Sequence, residues 1–89
     1  MVIKREDVVH KLEDYLHQRL PLAELVDWAE EAMQEGEFDE RDFETLRDIV
    51  SRLGLADVRN FGLTWEYCAT YLARLGYHVK VEVTPSGSN

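Results

Sequence analysis

Of the 89 residues, 18 are acidic and 10 basic, a formal charge of −8, and the excess is unevenly spread. Ten acids and one base, Arg41, fall between Glu24 and Glu44, so this 21-residue segment carries −9 and the rest of the chain +1. Such a distribution argues against a protein that holds nucleic acid or an anionic membrane through its net field, since both demand clustered Lys and Arg.

The length is that of one domain, here 1–83, and a hydrophobic content of 45% sustains a core. The first helix is predicted over Arg5 to Leu20, where Val8, Val9, Leu12, Tyr15, Leu16 and Leu20 share one stripe at 100° per residue. Pro21 separates it from a second helix, Leu22 to Glu35, whose inner stripe is Leu22, Leu25, Val26, Ala29, Ala32 and Met33. Gly36 is expected to end that helix in the left-handed conformation.

Asp39 is placed to cap a third helix, with Phe38 and Phe43 at the spacing of a hydrophobic staple. Phe43, Leu46, Ile49, Val50 and Leu53 form its expected buried stripe. Gly54 ends it, and Leu55 is expected to fold back on Val50. Thr64 caps a fourth helix with Trp65, Cys68, Leu72 and Leu75 inward, Tyr67 and Tyr71 on the outer flank, and Gly76 closing it with Tyr77 packed on Leu72. Beyond Gly76 the period shortens to two: Tyr77, Val79, Val81 and Val83 alternate with His78, Lys80 and Glu82, which predicts a half-buried strand over about 77–83. The segment 84–89 has no apolar anchor and is expected to be disordered.

A lone strand needs a hydrogen-bonding partner. Either residues 1–4 supply it, or the edge at His78, Lys80, Val81 and Glu82 pairs across a homodimer or adds a strand from another protein. The fold class is therefore mainly α, a bundle of about four helices with one short C-terminal strand.

Little in the chain suits catalysis or metal binding. His10, Glu13, Asp14 and His17 share a helix face, but exposed ligands without a second cluster make no closed zinc site. An EF-hand register around Gly36 puts Met33 at a ligand position. Cys68 lies on an inner face, where a thiol is poorly ionised, and there is no nucleophile elbow or glycine-rich phosphate loop. A helix-turn-helix reading of the second and third helices would present Glu44 and Asp48 to phosphate, the wrong sign. No enzyme activity, cofactor or metal is expected. The absence of a secretory h-region after Met1, of a long apolar run and of paired cysteines predicts a reduced, cytoplasmic bacterial protein.

The most informative surface is the second helix, where Glu24, Asp27, Glu31 and Glu35 point away from the apolar stripe and Trp28 stands at the border. Two uses of Trp28 remain open: cover for the core edge, or an anchor ringed by carboxylates for a basic protein partner. The stretch Lys11-Leu12-Glu13-Asp14-Tyr15-Leu16, followed by Leu22-Ala23-Glu24-Leu25-Val26-Asp27-Trp28, resembles the opening helices of small bacteriocin-immunity-type proteins of the colicin D immunity-like group. The resemblance covers about a quarter of the chain and implies an acidic helical unit that neutralises a basic toxin nuclease by direct binding. The expected function is thus non-catalytic protein–protein interaction through the acidic segment. The alternative is a structural or regulatory homodimer built on the strand edge.

Overall fold

Residues 2–57 and 63–79 are described by the computed structural model of the chain, in the order β1 (Val2–Ile3), α1 (Arg5–Leu16), α2 (Leu22–Glu35), β2 (Glu37–Phe38), a 3-10 turn (Glu40–Asp42), α3 (Phe43–Leu53) and α4 (Trp65–Arg74). The four helices enclose one apolar core. Val8, Val9 and Leu12 of α1, Leu25, Ala29 and Ala32 of α2, and Leu46, Ile49, Val50 and Leu53 of α3 meet Cys68, Tyr71, Leu72 and Leu75 at α4. The mainly helical expectation holds, and α2 spans the residues its apolar stripe predicts.

The helix ends show which local signals decided the boundaries. At the start of α1 the Lys4 N–H donates to Asp7 Oδ2 at 2.8 Å. The helix stops at Leu16, short of the expected Leu20, because Gln18 turns left-handed with φ 60°. Its N–H then donates to Tyr15 O at 3.0 Å and the Arg19 N–H to Asp14 O at 2.8 Å, the two bonds of a Schellman cap. Thr64 caps α4 as expected, accepting the Tyr67 N–H at Oγ1. Gly76, at φ 89°, closes it with the same cap: Gly76 N–H to Ala73 O and Tyr77 N–H to Leu72 O. Asp39 accepts the Arg41 N–H and starts a single 3-10 turn, after which α3 proper begins at Phe43.

Two of the helix-ending glycines are not left-handed. Gly36 is extended, at φ −83° and ψ 153°. It is required instead by close approach: a Cβ there would stand 2.7 Å from Ala32 O and 2.9 Å from Ile3 Cγ1. Gly54 stays right-handed, at φ −65°, and α3 tightens into 3-10 bonds from Leu55 N–H to Arg52 O and Ala56 N–H to Leu53 O. Ala56 is buried by this turn, while Leu55 is left exposed rather than folded onto the core.

The strand expectation needs correcting. Residues 77–79 form no strand, and 80–83 lie outside the described residues, as does the expected tail at 84–89. Tyr77 does not enter a ladder because its N–H is spent on the α4 cap. The N-terminal segment does pair, but in parallel with β2, with Val2 opposite Glu37 and Ile3 opposite Phe38. Asp39 N–H extends the pairing to Ile3 O at 2.9 Å. The cause is burial of Ile3, which fills the space beside Gly36 that α1 and α2, running out and back, bring to the same end of the bundle. Arg5 fastens that end further, its Nε and Nη2 meeting Asp42 at 3.3 and 2.9 Å.

Candidate functional site: the acidic face of α2

On α2, residues 24, 27, 31 and 35 lie within roughly 80° of one another at 100° per residue. All four carboxylates are exposed. Several acids elsewhere have a local partner. Asp7 and Asp39 cap helices, and Asp14, Asp42 and Asp48 form ion pairs with Arg19, Arg5, and Arg52 with Arg74. Among the described residues, none of Glu24, Asp27, Glu31 and Glu35 has a cation within 4.0 Å. Glu24 does have a local benefit, because it sits in the first turn of α2 where the helix dipole favours an anion. The other three have none: Asp27–Glu31 and Glu31–Glu35 are like-charge i, i+4 pairs, and Glu35 ends a helix whose last turn has no base.

Trp28 is half-buried, packed on the core with the Lys11 ammonium 5.6 Å from its ring centroid. One open use is thereby realised: the ring covers the core edge and engages a cation of its own chain. It flanks the carboxylate row and keeps part of its surface exposed beside it. Of the expected strand edge, His78 is exposed without being in a strand, and Lys80, Val81 and Glu82 lie outside the described residues.

Two aromatics expected inside are outside. Phe43 is 45% and Trp65 50% exposed, whereas Tyr71, expected on the outer flank, is only 8% exposed. The buried set of α3 is Leu46, Ile49, Val50 and Leu53, and that of α4 is Cys68, Tyr71, Leu72 and Leu75. Both occupy the same arc of about 100°, and in both helices the first residue falls about 20° beyond its edge. A narrower reading of the stripe, at i, i+3, i+4 and i+7, carries that signal.

Phe43 is held by edge-to-face contact with Phe38, the ring centroids 6.1 Å apart. It stands between a hollow of 440 Å³ shared with Met33, Arg47 and Ser51 and one of 460 Å³ bordered by Glu40 and Thr45. Trp65 borders a separate groove of 400 Å³ with Tyr15, Leu16, Leu20 and Leu63.

The electrostatics of the remaining groups are those of a scaffold. Hydrogen bonds from Arg74, at 2.7 Å, and from Arg52, at 3.0 Å, hold the Asp48 carboxyl below its usual range. Burial pushes the Cys68 thiol up to about 11, a poor nucleophile at neutral pH. Burial also raises the Tyr71 hydroxyl above its ordinary value. Among the described residues no group of three or more His, Cys, Asp or Glu side chains gathers to hold a metal ion. No helix there is long and apolar enough to cross a membrane. No family model, curated protein or solved structure significantly matches this chain.

Proposed function

We propose that the protein acts by binding rather than by catalysis, offering the exposed carboxylate row of α2 to a basic protein partner. The observation that carries this reading is the cost of the row. Glu31 is repelled by Asp27 on one side and Glu35 on the other, and Glu35 opposes the α2 dipole at its C-terminal end, with no compensating base in that turn. A charge arrangement kept only for solubility would be at least as effective at positions that do not weaken the helix. Unlike charge on a partner removes the repulsion and speeds the encounter. The resemblance to immunity-type proteins makes a basic toxin nuclease the natural partner class, bound and neutralised by this face.

The test is a salt series on a purified partner recovered by affinity capture. Affinity should fall steeply as salt rises and drop at least about tenfold in the Glu31→Lys, Glu35→Lys double variant, the scale expected for charges central to an interface. A complex indifferent to both salt and the double variant would sink the reading.

A further inference from the structure

We propose that the cleft between α2 and α3, floored by Met33 and Phe43, receives an apolar side chain from a basic segment of the partner; this rests on the acidic-face reading above. The starting point is Phe43, a large aromatic left 45% exposed beside Phe38, which itself packs on the core. Its edge-to-face contact with Phe38 favours one orientation of the ring and so lowers the conformational entropy left to lose on docking. Met33, half-buried on α2, supplies a deformable second wall to the 440 Å³ hollow.

Charge complementarity identifies the occupant. Glu44 lies at the Phe43 end of the cleft. At the Ser51 end the stem of Glu30 passes 3.7 Å from where a Cβ on Gly54 would be. Glu30 is one turn before Met33 on α2 and therefore joins the cleft to the carboxylate face. Neither Glu30 nor Glu44 has a cation within 4.0 Å among the described residues, whereas Asp48 on the same wall is already held by Arg52 and Arg74. Residues 43 and 51 are about 12 Å apart along a helix. That spacing suits a segment with one apolar residue in the hollow and a Lys or Arg to either side. Arg47 is the one opposing charge among the residues lining the hollow.

The probe is a short labelled amphipathic peptide of Lys and Leu, compared by fluorescence anisotropy at low salt with a Lys/Ser peptide of equal length and charge. The Lys/Leu peptide should bind roughly tenfold more tightly, and Phe43→Ser should remove most of that difference, as truncating an anchor does. Arg47→Glu, a change on an exposed position that leaves the core intact, should tighten both peptides. Glu31→Lys with Glu35→Lys should weaken both. Equal affinity for the two peptides, or no gain from Arg47→Glu, overturns the cleft while leaving the acidic face standing. Failure of both peptides to bind overturns both. Should Phe43→Ser melt too low to assay, the peptide pair and Arg47→Glu decide the matter alone.

Discussion

Gln18 carries a left-handed backbone, φ 60°, so that α1 can end in a Schellman cap. For a residue with a Cβ that conformation costs about 1 kcal/mol or more, which glycine avoids. Gln18→Gly is therefore expected to stabilise the protein by about 0.5–1 kcal/mol, read as a rise in Tm of a few degrees. Gly36 is the opposite case. Its φ would suit any residue, but a Cβ meets the Ala32 carbonyl and the Ile3 side chain. Because one of those neighbours is backbone, Gly36→Ala should cost about 1–3 kcal/mol in a denaturant titration. The Cys68 thiol, fully buried and raised to about 11, should react with an aromatic disulfide at neutral pH only as fast as the protein opens. Immediate reaction in the native state would contradict that burial.

At the scale of the element, α2 is a helix working against its own charges. Replacing Glu31 alone by lysine makes its i, i+4 relations to Asp27 and Glu35 attractive, and replacing Glu35 alone does the same for its relation to Glu31 and puts a cation at the negative end of the dipole. Each change should stabilise by about 0.3–1 kcal/mol in thermal melts at low salt, with the gain shrinking as salt is added. A stability gain joined to a loss of partner binding is the signature of a surface selected for recognition. The elements also show what could be read without coordinates. The existence and order of four helices, the bounds of α2, the caps at Thr64, Asp39 and Gly76, and the Phe38–Phe43 contact follow from 3.6-residue periodicity and capping chemistry, which are local. The left-handed Gln18 is not legible in the sequence because its own side chain gives no such signal. Phe43, Trp65 and Tyr71 depart from the periodic pattern because an apolar residue at the edge of a stripe is buried only if a neighbouring element reaches it. The β1–β2 pair depends on residues 2 and 3 finding 37 and 38, and that long-range pairing has no local periodicity to reveal it.

At the scale of the whole molecule, few charged links among the described residues hold one helix to another. Asp48 of α3 joins Arg74 of α4 at 2.7 Å and Arg52 within its own helix at 3.0 Å. Its folded pKa lies below the ordinary 3.8, so its contribution is present above that value and is lost as pH falls through the lower folded value. With the Asp48 side chain 37% exposed, solvent screens the effect to a small one. Wild type should nonetheless lose more stability than Asp48→Asn between pH 7 and about 3, the two converging at the acid end in urea titrations. The parallel pairing at the opposite end has a dynamic corollary. Asp39 donates its N–H to Ile3 O and its carboxylate accepts the Arg41 N–H, so the turn that launches α3 hangs on the N-terminal strand. Release of two residues at that terminus would free the Asp39 amide to exchange with solvent and loosen the turn that sets Phe43. Deuterium uptake at Asp39 can therefore serve as a clock for terminal detachment, ticking faster than uptake at Leu53 or Leu72 in the core and slowing when a ligand clasps Phe43.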